Sequence, residues 1–198
     1  MDRWRHVPKA ILIVAVVLAP AGCGLFDTRE AKPPQGPVLP CLITSSPDNV
    51  LANIRVHYGQ PSVGSCYSPM LHAQFEFHPD QVDSTTTPEP FLTAWNQMVE
   101  DHVAANIAAD SVVNFSVVFD STYQAPAFDP GPPQRETRFY QYHLLVLKSA
   151  GFTRYQGRME LTFEQAAGLW TIRYWIDHAD GSGYPTWGRL RADHRTGI

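Results

Sequence analysis

From Tyr155 to Glu164 the chain alternates without a break. Tyr155, Gly157, Met159, Leu161 and Phe163 fall on one side, and Gln156, Arg158, Glu160, Thr162 and Glu164 on the other. A period of two is a strand with one wet face and one dry face. The dry face has to be covered, and that requirement constrains the fold more than any other feature. Three further segments read the same way. Val112 to Asp120 carries Val113, Phe115, Val117 and Phe119 on one face, and Arg138 to Lys148 is a long aromatic-rich strand. In Leu169 to His178 the apolar stripe reads Trp170, Ile172, Tyr174 and Ile176, which leaves Asp177 on the opposite stripe with Thr171, Arg173 and Trp175.

The cover comes from the first half. Ser46-Pro47-Asp48 is a helix start: a hydroxyl cap, a proline in the first turn and an acid at the positive end. Val50, Leu51, Ile54 and Tyr58 then make one helical face, and Gly59 and Pro61 stop it. A short helix runs through Cys66-Tyr67 to Leu71. Ala73, Phe75 and Phe77 alternate with Gln74, Glu76 and His78 in a strand that Pro79 ends. After a loop from Ser84 to Pro90, the spacing of Phe91, Trp95, Met98, Val99 and Val103 predicts a helix from Pro90 to about Ala108. Ala125 to Gln134 reads as loop. Helices come early and antiparallel strands late, which predicts an α+β domain with two to three helices of the N-terminal half packed on a curved antiparallel sheet.

The N-terminus has a different character. Arg3, Arg5 and Lys9 precede the uncharged run Ala10 to Ala19, and Ala21-Gly22 lead to Cys23. The run is shorter than the roughly 20 residues that a spanning helix needs. A basic start, an apolar stretch and small residues make the layout of a secretory signal. With a cysteine where the cut falls, the segment resembles a bacterial lipoprotein signal, although Pro20 stands where such signals normally carry Leu. The resemblance implies cleavage before Cys23, lipidation of Cys23 and, with Gly24 next, placement in the outer membrane facing the periplasm. Residues 1–22 are then a signal peptide, 23–41 a Pro-rich tether and 42–198 the domain. Removing the signal leaves about 175 residues, one domain's worth.

Composition narrows the partners. Net charge is −4, with no basic run, so a nucleic-acid partner is not expected. Hydrophobic content of 44% supplies a real core. With Cys23 set aside, Cys41 and Cys66 either form a disulfide or are two buried thiols. No Cys/His spacing suits zinc. His72 and His78 stand about 20 Å apart along an extended strand, too far to share an ion. No metal and no cofactor is expected.

Four stretches, in order, carry a second resemblance. Ser46-Pro47-Asp48-Asn49-Val50-Leu51 opens the first helix. Tyr67, Leu71, Phe75 and Phe77 follow, then Leu169 to Asp177, and then Thr186-Trp187-Gly188-Arg189-Leu190 as a short tail. The chain from Ser46 to Arg195 resembles the nuclear transport factor 2-like superfamily, which implies a cone-shaped α+β roll. That superfamily includes isomerases, cyclases, dehydratases and non-catalytic domains. Its enzymes place an acid or a histidine in the cone, often beside a tyrosine. The residues to watch are therefore Asp177, His143 and Tyr174, then His178, Tyr140, Tyr142 and Asp120. Asp177 and Tyr174 lie on opposite stripes and share a pocket only if a bulge intervenes. No GxSxG, HExxH, P-loop or GxGxxG motif is present. The sequence favours a non-catalytic envelope domain binding a small apolar ligand or a protein partner, with homodimerisation across the sheet as one form of the latter. The alternative is an isomerase-, cyclase- or dehydratase-type enzyme with a buried Asp or His.

Overall fold

A computed structural model describes residues 40–59, 66–86, 95–110, 115–119, 126–148 and 151–195. The chain divides into two compact units, Met1–Pro37 and Val38–Ile198, and every described residue lies in the second. Cys23 and Asp120 fall outside the described residues.

Helix α1 runs from Pro47 to Gly59. The Ser46 hydroxyl accepts the Asn49 N–H at 3.3 Å, and Val50, Leu51, Ile54 and Tyr58 are buried. A 3-10 turn, Ser68–Met70, leads into β1, Leu71–His78. Phe75 and Phe77 point inward, but Ala73 is exposed, because the pairing of β1 shifts between Leu71 and Glu76. Helix α2, Gln81–Thr86, follows and runs into the stretch from Ser84 that the sequence reads as loop. Asp80 starts it by accepting the Val82 N–H at 2.8 Å.

Helix α3 spans Gln97–Ala109 and begins later than its apolar spacing suggested. The Asn96 side chain caps it by accepting the Val99 N–H at 3.1 Å. Trp95 stays ahead of the helix, its ring 5.3 Å from that of Phe77 and its carbonyl accepting the Phe77 N–H at 3.4 Å. It covers the edge of β1.

Strand β2 is Phe115–Phe119, and β3 is Ala127–Asp129. The segment read as loop thus holds a short strand, paired with the start of β4. Strand β4 is Arg135–Lys148, β5 Gly151–Ala166 and β6 Leu169–His178. The spatial order is β1-β6-β5-β4-β2. Every pairing is antiparallel except β1 with β6, which is parallel. The sheet is therefore mixed rather than wholly antiparallel, because the chain runs through α2, α3 and four strands before it returns beside β1. Helix α4, Trp187–Asp193, closes the described chain.

The α+β architecture is the one its segregated periodicities predict. Ile54 and Tyr58 of α1 and Val103 and Ile107 of α3 join Leu144, Met159, Leu161, Phe163 and Ile172 of the sheet in one core. Cys41 and Cys66 are bridged, Cα–Cα 5.4 Å, which fastens the segment before α1 to the one before β1. Charged side chains pair across the outer surface of the sheet. Arg138 meets Asp48 at 2.6 Å and Glu136 at 2.5 Å, Arg173 meets Glu76 at 3.4 Å, and Glu164 meets Arg135 at 3.0 Å.

Candidate functional site

Asp177 gathers the chemistry, and a single residue of β6 puts it there. Thr162 stands opposite Tyr174 but Phe163 stands opposite Ile172, so Arg173 is extra. This bulge reverses the phase of the strand. Trp170 and Ile172 face inward as the alternation requires. Beyond Arg173 it is Trp175 and Asp177 that are buried, while Tyr174 and Ile176 turn outward. The stripe Trp170-Ile172-Tyr174-Ile176 therefore does not persist.

Asp177 has no exposed surface. Its Oδ1 accepts the Tyr142 hydroxyl at 2.8 Å, and its Oδ2 accepts the Gly188 N–H at 2.6 Å. Tyr142 comes from β4, directly opposite Gly157 of β5. Its hydroxyl oxygen also accepts the Trp187 N–H at 2.7 Å. Thr186 caps α4, accepting the Arg189 N–H at 3.3 Å and donating its hydroxyl to buried Asp83. The early N–H groups of α4, which no helical carbonyl can satisfy, are thus collected by Thr186, Tyr142 and Asp177. Burial pushes the Asp177 carboxyl up to about 7, and nearby Asp83 adds to the rise, against the opposing pull of Tyr142, Arg191 and the Gly188 N–H. Burial and then the Asp177 charge hold the Tyr142 phenol well above its ordinary value.

The rest of α4 fills the interior. The Trp187 ring lies 4.8 Å from that of Trp175, 5.3 Å from Tyr58 and 5.5 Å from Tyr142, all edge-on. Arg191, with no exposed surface, stacks its guanidinium 4.0 Å from the Trp175 ring and 4.3 Å from the Phe77 ring. Its Nε meets both Glu100 oxygens, at 2.9 and 3.1 Å, and its Nη2 lies 2.9 Å from Oε1. Glu100 also accepts the Tyr67 hydroxyl at 2.5 Å and the Trp95 indole N–H at 2.6 Å. Burial alone would lower Arg191, but the Glu100 carboxylate overrides it and keeps the guanidinium charged.

The other candidates do not join Asp177. Tyr174 lies on the outer side under the Arg173 guanidinium, 4.4 Å from its ring centre. His143 is half-buried on the other face of β4, its Nδ1 3.2 Å from Arg154. The Tyr140 hydroxyl accepts from Arg138 at 3.4 Å, and His178 follows Asp177 on the outward stripe. Sequence reasoning did not single out Glu100, Arg191, Trp187 or Gly157 as residues of this site. One signal for α4 was available: a Thr cap followed by apolar Trp187 and Leu190. Among the described residues no cluster of three or more metal-ligating side chains occurs.

Chemically, the Asp177–Tyr142 pair has the parts of an acid–base couple. Both carboxylate oxygens, however, are already held by protein donors.

No protein-family model and no curated protein matches the sequence. Solved structures do match. A Novosphingobium aromaticivorans protein assigned as an aromatic ring hydroxylase is 10% identical, with a TM-score of 0.53 over 67% of this chain and 85% of its own. One from the same organism assigned as a scytalone dehydratase is 9% identical, with a TM-score of 0.51 over 72% of this chain and 91% of its own. A Kribbella flavida protein is 8% identical, with a TM-score of 0.51 over 73% of this chain and 93% of its own. What the chain shares with these proteins is the fold, an α+β arrangement of helices packed on a curved mixed sheet.

Proposed function

We propose that this chain is a lipid-anchored protein of a bacterial envelope, held in the outer membrane by Cys23 and facing the periplasm, and that its cone-fold domain binds rather than catalyses. The observation that carries the non-catalytic reading is the fate of Asp177. It is fully buried and spends both oxygens on Tyr142 and on the start of α4. A catalytic carboxylate has to reach a substrate atom within hydrogen-bond distance, and this one faces a helix terminus. Trp175, Trp187 and Arg191 beside it are fully buried and pack against one another. The lipid anchor rests on the basic start, the apolar run and the cysteine of residues 1–23.

A second reading, an enzyme of the dehydratase or isomerase type, draws on the Asp177–Tyr142 contact, the carboxyl near 7 and the neighbour assigned as a scytalone dehydratase. Native mass spectrometry of the protein extracted gently from its own membrane separates the two. The expected species begins at a lipid-modified Cys23, and any small molecule it carries leaves unchanged. An unmodified N-terminus elsewhere overturns the anchor. A retained small molecule that the protein converts to a product, with the conversion lost in an Asp177→Asn variant that still folds and binds it, overturns the non-catalytic reading and identifies the chemistry.

A further inference from the structure

Three large apolar side chains stand out from the surface beside the disulfide. Leu42 is 45% exposed, Ile43 74% and Leu169 45%. Between them, floored by Met70, Pro69 and the Cys41–Cys66 bridge, lies a groove of about 260 Å³ with no charged side chain in its lining.

These side chains are held outward by a built scaffold. The Asn53 amide clasps the backbone of Leu42 from both sides, accepting its N–H at 2.7 Å and donating to its carbonyl at 2.8 Å. The Asn49 amide donates to the Ile43 carbonyl at 2.8 Å, and the Trp170 N–H donates to the Thr44 carbonyl at 2.7 Å. On the other rim, Ala167 and Gly168 take φ of 51° and 80°, the left-handed pair of a tight hairpin turn, and fix Leu169 at the start of β6. The Leu42 N–H and carbonyl and the Ile43 and Thr44 carbonyls are satisfied within the protein, and the exposed side chains of the rim are hydrocarbon. Scattered exposed apolar residues are ordinary, but a rigid cluster around an uncharged groove marks a contact surface.

The position of the cluster names the occupant. Cys23 precedes Cys41 by eighteen residues. That length spans about 60 Å at most when extended. The point at which an anchored chain joins the domain is thus the rim of this groove. We propose that the groove takes an acyl chain of a membrane phospholipid and seats the domain on the bilayer, with Leu42, Ile43 and Leu169 entering the interface. This rests on the anchor reading above for the membrane, though not for the groove itself. With no charged lining, the contact relies on apolar burial and is insensitive to salt.

The test uses the full mature protein on phosphatidylethanolamine–phosphatidylglycerol vesicles, with a photoreactive residue in place of Ile43. A control carries it in place of Phe152, which is 69% exposed at the other end of β5. Illumination is expected to cross-link the Ile43 position to phospholipid about tenfold more than the Phe152 position, equally at low and high salt. Equal yields at the two positions overturn the proposal. So does cross-linking of the Ile43 position to a second copy or to residues 24–39 of its own chain. The intact mass of the same sample reads Cys23 independently. Lipid on Cys23 without cross-linking at Ile43 rejects the groove and keeps the anchor. Cross-linking with a bare Cys23 does the reverse.

Discussion

Gly157 is the residue that lets Tyr142 reach Asp177. It lies in β5 on the buried side, opposite Tyr142, and a Cβ built there would fall 2.5 Å from the Tyr142 hydroxyl and 2.6 Å from the His178 carbonyl oxygen. Neither neighbour yields easily, since one is backbone and the other is tied to Asp177 and Trp187. Gly157→Ala is therefore expected to destabilise the domain by about 2–3 kcal/mol, measured by urea unfolding. The alternation of β5 in the sequence already placed Gly157 on the inner face. What it could not supply is the partner, because the register of β4 against β5 belongs to two strands at once. Asp177 failed for a related reason. Period-two reading is reliable only up to the first bulge, and one extra residue, Arg173, moves everything after it to the other face.

At the scale of elements, α4 is the part that decides what the cone can do. Seven residues make a weak helix by themselves. Its position is fixed by burial of Trp187 and Leu190 and by the Arg191–Glu100 pair, both members of which have no exposed surface. Removing one member of such a pair leaves the other charged and dry, which costs far more than the pair contributes on balance. Arg191→Met is expected to lose about 3–5 kcal/mol, and the double variant with Glu100→Gln to lose clearly less than the sum of the two single losses. Urea unfolding of the four proteins reads this coupling. Additive losses would mean that the ion pair does not fasten the helix. The sequence hid the pair because Glu100 and Asp101 are adjacent acids on one helix. Which of them faces the core depends on where α3 lands against β1, and it is Glu100, between the buried Val99 and Val103, that does.

For the whole molecule, the helices-then-strands order was legible, because each periodicity needs the other for cover. The parallel pairing of β1 with β6 was not, since it joins residues about 100 apart and leaves no local trace. The same long-range assembly brings Asp83, Tyr142, Asp177 and Arg191 together from four elements, and it gives the fold a pH dependence of definite sign. In the unfolded chain Asp177 has its ordinary value of 3.8, while burial raises it to about 7 in the fold. Below about pH 4 the carboxyl is protonated in both states, and its contribution to stability is fully present. Between about pH 4 and about 7 the fold holds a proton that the unfolded chain has released, so stability falls as pH rises, by at most about 1.4 kcal/mol per pH unit for this one group. Asn at this position resembles the protonated acid and does not titrate. The stability of the parent protein minus that of Asp177→Asn is therefore expected to shrink steadily from pH 4 to pH 7 and then level off, as read by thermal or urea unfolding across the series. Asp83 is raised in the same direction, chiefly by burial; it is present in both proteins, so its own titration cancels from the difference except for its coupling to Asp177. A difference that grows with pH would mean that Asp177 works as a stabilising anion. The donors of Tyr142 and Gly188 would then outweigh its burial, and Asp177 would be a fixed charge holding α4.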